Sequence, residues 1–342
     1  TLSGNNTYLG GTTVASGTLA ITSNTSLGAN SNNTATGVTI GNGSTAATLE
    51  TTANITTSRW ITLNGSNASV MTDTGTTLTL GANSSITGNS TSTLNKTGNG
   101  ILVLSGAAAN YTYAGATNVS AGTLQISSDN LVPNTTALTV GLNGTFNMNN
   151  QNETLASLAG AGNVALGSGN LITGLGNTST LFSGIISGTG NLFSVSTGTF
   201  TLAGNNTFTG TTNISAGTLS VNSSIALQFS TLNYNIGNGN LSFGNVTGTT
   251  LGGLQGNKNI ALVNASSAAV TLAIGSNDGT TEYDGNFSGA GSLNKVGNGT
   301  LSLTGNNSQI GGNVTVSAGT LQVFGNNSYA GTTSIANGAT YS

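Results

Sequence analysis

The chain runs to 342 residues, of which 3% are charged, with 53 glycines, one proline and no cysteine. Its formal charge of −3 comes from seven acids and only four bases (Arg59, Lys96, Lys258 and Lys295), too few cations to hold a phosphate backbone or an anionic membrane. Without cysteine there is no disulfide framework or thiolate metal site, and without an apolar run of about eighteen residues there is no helix to cross a bilayer.

Low charge with few aromatics can signal disorder. Against that, apolar β-prone runs bounded by Gly and Asn, such as Ile101–Leu104, carry strand and turn signals, and good helix formers are scarce. The first organised segment is 2–21, LSGNNTYLGGTTVASGTLAI, a Gly-Asn-Asn-Thr-Tyr turn followed by Val-x-x-Gly-Thr-Leu. Alternation predicts Leu2, Val14, Leu19 and Ile21 inward. In 59–63, Arg-Trp-Ile-Thr-Leu, Trp60 reads as a strand residue covering the core.

A second copy of the motif occupies 94–126, with extra residues around 107–110. A third occupies 192–221, with Leu202, Ile214, Leu219 and Val221 in the inward places, and a fourth 293–323. A partial fifth copy at 323–342 overlaps the fourth, so the strand that ends one copy begins the next. Gly319 and Gly338 therefore lie nineteen residues apart, the length of one solenoid coil. The marker glycines Gly17, Gly122, Gly217 and Gly319 recur at roughly 100-residue intervals, about five coils each. Between copies, 155–166 matches 251–262 and 182–192 matches 283–293, so the unit of duplication is several coils.

These spacings predict an all-β parallel β-helix, a single continuous solenoid over 1–342 of about 17 coils of roughly 20 residues. Gly, and less often Asn, supplies positive φ at the corners. The sequence opens without Met in mid-motif and stops in mid-motif at Ser342, which reads as a mature piece or a window from a longer array.

The stretch at 94–126, L-N-K-T-G-N-G-I-L-V-L-S-G followed by Y-A-G-A-T-N-V-S-A-G-T-L-Q-I, resembles the autotransporter-associated β-strand repeat, also called the passenger-associated transport repeat. The resemblance implies a right-handed parallel β-helix in a large secreted or surface-displayed bacterial protein. It also implies a type V export route, with the repeat serving structure and passenger folding. One departure is Gln309, which stands where Tyr8, Tyr113, Phe208 and Tyr329 stand in the other copies.

Chemistry-bearing residues are sparse. Glu50 with Asp73, and Asp129 with Glu153, are each about one coil apart and so could be neighbours, as a glycosidase pair must be. Isolated surface carboxylates are the simpler reading, and no catalytic residue is assigned. Asp278, Glu282 and Asp284 form the densest acidic patch, a candidate Ca²⁺ site on one loop, against the default of a solvated loop. Lys96 and Lys295 precede Gly-x-Gly corners and are expected to cap turn carbonyls. Tyr8, Tyr113, Phe208 and Tyr329 are expected to pack one corner of the coil in preference to stacking on sugars. Asn5, Asn205, Asn306 and Asn326 open Asn-x-Ser/Thr triplets at equivalent motif places and are candidate N-glycosylation sites, against the bland alternative of Asn/Thr-rich coils.

The function expected from this is a non-enzymatic extracellular or cell-surface protein, a stiff stalk or fibre with adhesion or scaffold work and no cofactor. The alternatives are a repeating subunit of a head-to-tail filament, a glycan-binding or glycan-cleaving β-helix and, last, an ice-binding solenoid. The last needs a Thr-x-Thr register at every coil, and the sequence does not maintain one. Expected partners are further repeats of the same chain or a second copy end to end, or a host surface or glycan. No nucleic acid is expected, nor direct membrane insertion of this segment.

Overall fold

The computed structural model describes residues 1–29, 36–237, 239–307, 309–324, 327 and 329–342. It is all-β, a parallel β-solenoid of about 14 turns, fewer than the 17 expected. The difference comes from coil length. Thr199 pairs with Thr218, nineteen residues on, but Gly17 pairs with Ala47, thirty residues on. Among the described residues the only helical pieces bounded in full are two 3-10 turns, Asn24–Leu27 and Ala108–Asn110. The chain divides into two compact units, Thr1–Leu171 and Ile172–Ser342.

In the first unit one face stacks the strands Thr12–Val14, Val38–Ile40, Trp60–Leu63 and Ser85–Gly88. A second runs through Gly17–Ile21, Ala47–Thr51, Ala68–Thr72 and Leu94–Thr97. A third stacks Ile55–Thr57, Thr77–Leu80 and Ile101–Leu104. The second and third faces merge at Thr117–Ile126, which pairs with Leu94–Thr97 at its start and with Ile101–Leu104 at its end.

Every second side chain points inward, so the register stacks like on like. Leu78 and Leu80 sit beside Leu102 and Leu104, which sit beside Leu124 and Ile126, all 2% exposed or less. A slip of one residue would turn this column out to water, and each side chain contributes about 1.5–3 kcal/mol by burial, so the register is strongly fixed. Val14 and Ile21 are buried as the alternation predicts, while Leu2 and Leu19 of the first coil are half-buried. Trp60 departs from its expected place. Ile61 and Leu63 take the inward positions, so Trp60 projects outward, and the residue buried at this corner is Arg59.

In the second unit the longest ladder includes Leu192–Ser194, Thr211–Ile214, Leu227–Asn233, Gly248–Gln255, Thr271–Ile274, Ser292–Lys295, Val314–Val316 and Thr333–Ile335, in that order. Two shorter ladders, Ile260–Ala261 to Gln309–Ile310 and Thr281–Tyr283 to Thr340–Tyr341, close other faces. Leu202, Ile214, Leu219 and Val221 are fully buried, as predicted.

The marker glycines show why the motif keeps Gly before Thr-Leu. Gly122 has φ 65°, and a Cβ there would lie 2.4 Å from the carbonyl oxygens of Gly98 and Gly100 on the preceding coil. Gly217 and Gly319 stand in the same relation to the coils before them. Both the left-handed backbone and the close stacking require glycine.

Candidate functional site

The strand Leu94–Thr97 turns Lys96 inward, 0% exposed, and its Nζ donates to the carbonyls of Thr97 (2.8 Å), Gly98 (2.8 Å) and Ala121 (3.2 Å). Lys295 repeats this with Val296 (2.6 Å), Gly297 (2.8 Å) and Ala318 (3.3 Å). Three donors meet three turn oxygens, the capping role the sequence predicts. Burial lowers both lysine pKa values, that of Lys96 to about 8.

The other two cations are spent in the same way. Lys258 Nζ donates to Gly239 O (2.8 Å) and Asn240 Oδ1 (2.9 Å), and lies 5.2 Å above the Tyr234 ring. Arg59, 1% exposed, gives Nη1 to Thr36 O (2.7 Å), Nη2 to Gly28 O (2.7 Å) and Nε to Asn24 Oδ1 (3.1 Å), and burial lowers its pKa. The sequence gives no hint of Arg59, because its acceptors lie 23–35 residues earlier and are assembled only by the winding of the coil.

The acids are brought together only in part. Glu50 and Asp73 meet on adjacent coils. Partial burial first, then the Asp73 charge and a side-chain hydrogen bond to it, raise the Glu50 pKa. Asp129 accepts from Asn152 N (2.8 Å) and Asn152 Nδ2 (3.1 Å). Glu153 is 0% exposed, with its oxygens facing the amides of Thr154 (3.2 Å) and Val132 (3.3 Å), and burial pushes its pKa up to about 8. A carboxyl sealed from solvent cannot meet a glycan, so Asp129 and Glu153 do not make a hydrolytic pair.

Asp278, at φ 59°, accepts from Asn298 N (2.6 Å) on the next coil, and Asp284 accepts from Thr304 Oγ1. Glu282 is exposed on Thr281–Tyr283. No group of three His, Cys, Asp or Glu side chains able to hold a metal ion occurs among the described residues.

Of the motif aromatics, Tyr113 and Phe208 are 1% exposed and pack the corner. Tyr8 is 38% exposed, and Tyr329 is half-buried. Tyr8 and Tyr113 each tie their hydroxyl to the Thr four residues on, Thr12 (2.8 Å) and Thr117 (2.7 Å). Where Gln309 replaces the aromatic, Gln309 is exposed and Ile310 is buried in its stead.

The Asn-Asn pair of the motif divides into two roles that the sequence does not distinguish. The second Asn bridges coils: Asn206 Oδ1 accepts from Ile186 N (2.8 Å) and its Nδ2 donates to Ala226 O (3.0 Å). Asn307 Oδ1 accepts from Phe287 N (2.9 Å), and Asn6 Nδ2 donates to Ser26 O (2.7 Å). The first Asn, opening the Asn-x-Ser/Thr triplet, is exposed at Asn5, Asn205 and Asn306, and Asn326 lies outside the described residues. Asn5 and Asn205 accept from hydroxyls of the next coil, Thr25 (2.6 Å) and Ser223 (2.8 Å).

Among the described residues no helix is long and apolar enough to cross a membrane. The family model described as passenger-associated-transport-repeat matches residues 1–21, 94–126, 196–221 and 293–323, about a third of the chain. The partial copy at 323–342 is outside the matched segments. No curated protein and no solved structure matches the chain.

Proposed function

The chain is a parallel β-solenoid that carries four passenger-associated-transport repeats, and from that premise we propose that it works as a non-enzymatic stalk or scaffold displayed outside the cell. One observation carries this reading: all four cations donate to protein oxygens and hold coils or turns together, leaving none to bind a ligand. The charge of these four side chains is spent on holding coils and turns together. An antibody against the chain is expected to label intact cells or to recover the protein from the medium. Labelling that needs permeabilised cells would overturn the extracellular reading. The non-enzymatic part is tested with neutral polysaccharides, where release of reducing ends that disappears in Glu50→Gln would refute it.

A second reading is end-to-end continuation. The strand Thr333–Ile335 is exposed throughout, with Ile335 50% and nearby Phe324 53% exposed. An exposed strand edge of this kind, with Ile335 and Phe324 beside it, can pair with a second copy of the chain. Sedimentation across a hundredfold range of concentration tests this: growing particles support a second copy, and a constant monomer removes the filament reading.

The exposure of Asn5, Asn205 and Asn306 supports glycosylation of these asparagines, which would add a hydrated coat to a chain with little charge. Intact mass of protein from its native source is expected to exceed that of the bare polypeptide. Equality of the two removes the glycoprotein reading.

A further inference from the structure

In the first unit, Thr13, Thr39, Thr62 and Thr87 stand in register on four successive strands. The bridge between Ile86 and Tyr111 places Thr112 beside Thr87 as a fifth. These residues are half-buried or exposed, and the Thr62 and Thr87 hydroxyls lie 3.3 Å apart. The result is an outward ladder of hydroxyls with rungs about 4.8 Å apart.

Thr39, Thr62 and Thr87 line an open groove of about 470 Å³, with Asn64 and Asn89 in its wall. One further feature points to a ligand. Trp60, the one tryptophan of the chain, projects outward on the same strand two residues before Thr62.

We infer that this face is a binding site for a linear neutral glycan, lying across the coils along the threonine ladder. No charged side chain lines the groove, so it offers nothing to a uronic-acid polymer. Hydroxyls and amides in a repeating row match the hydroxyls of a sugar chain, and an indole beside them provides a face on which a pyranose ring stacks. A flat Thr-x-Thr array for ordering ice is not what the register builds. Each strand contributes a single threonine to this column, and the positions flanking Thr62 on that side are Trp60 and Asn64.

Because Trp60 is the only tryptophan, its fluorescence reports on this face alone. The full chain is titrated with hexasaccharides of β-1,4-glucan, β-1,4-mannan and β-1,4-xylan, and with oligogalacturonate, with calorimetry in parallel. At least one neutral oligosaccharide is expected to give a saturable change in emission. The triple variant Thr39→Val, Thr62→Val, Thr87→Val, which keeps shape and strand propensity, is expected to bind about tenfold or more weakly. Thr201→Val, in the second unit, leaves binding unchanged. If the triple variant loses its β-sheet circular dichroism, the single variant Thr62→Val makes the same comparison. The inference is overturned if no neutral glycan binds, if the threonine variants bind as the parent does, if oligogalacturonate is preferred, or if thermal hysteresis in ice growth occurs without glycan binding.

Discussion

Lys96 and Ala121 belong to adjacent coils, and the Lys96 ammonium closes the gap between them with a 3.2 Å hydrogen bond while holding two carbonyls of its own turn. A buried cation is tolerated here because all three of its protons find acceptors. Lys96→Met keeps the length of the side chain and orphans three carbonyls, so it should cost about 3 kcal/mol in urea unfolding. Lys295→Met should cost a similar amount in the second unit, whereas Lys258→Met, at a half-exposed position, should cost about 1 kcal/mol. If Lys96→Met matched the parent midpoint, the capping role would be lost.

Glu153 gives the first unit a pH dependence with a definite sign. Its folded pKa is raised from 4.5 to about 8, by burial first and slightly by the Asp129 charge, against amide hydrogen bonds that lower it. The folded state therefore holds this proton more tightly than the unfolded chain does. Stability is full below about pH 4.5 and falls as the pH rises to about 8, by at most about 1.4 kcal/mol per unit. Lys96, lowered to about 8, works in the opposite direction only above that value. Urea midpoints at pH 5 and pH 7.5 should differ in the parent and converge in Glu153→Gln.

The stacked aliphatic columns and the lysine caps were legible in the sequence because both depend on residues close together in the chain. Leu102 and Leu104 alternate within one strand, and Lys96 acts mainly on the next two residues. Arg59 and Glu153 were not legible as interior groups. Their burial depends on amides and carbonyls delivered by other coils, 21–35 residues away, and no local pattern encodes that distance. The threonine ladder was hidden for a related reason. Its members are separated by 26, 23 and 25 residues, so a fixed period of twenty passes over them. The same uneven spacing made the expected number of coils too high.

Two glycine substitutions separate backbone strain from crowding. Gly75 has φ 78° with open space where a Cβ would go, so Gly75→Ala should cost only the left-handed backbone, about 1–2 kcal/mol. Gly122 has φ 65° and would drive a Cβ to 2.4 Å from two carbonyl oxygens, so Gly122→Ala must also force the coils apart. It should cost at least about 2 kcal/mol more than Gly75→Ala, read as a lower denaturant midpoint. Equal losses at the two sites would show that the coils yield easily and that conformation alone fixes the motif glycine.

The adjacent residues Asn205 and Asn206 offer the sharpest contrast, because chemistry, sequence position and motif are matched and only the direction of the side chain differs. Asn206 is 2% exposed and joins the Ile186 amide to the Ala226 carbonyl, so its side-chain amide stands in for a missing backbone pair between three coils. Asn206→Leu removes both bonds and leaves a buried donor and a buried acceptor unpaired, for an expected loss of about 2–5 kcal/mol. Asn206→Asp keeps the acceptor but sets a carboxylate against the Ala226 carbonyl, so it should be destabilising at neutral pH and partly recovered in acid, where a protonated carboxyl can donate. Asn205→Gln, at an exposed position with one hydroxyl partner, should shift the midpoint by less than about 0.5 kcal/mol while removing the sequon. Denaturation of the three variants at pH 4 and pH 7 checks the whole set. A neutral Asn206→Leu would mean that solvent reaches this corner and that the coils do not depend on the bridge.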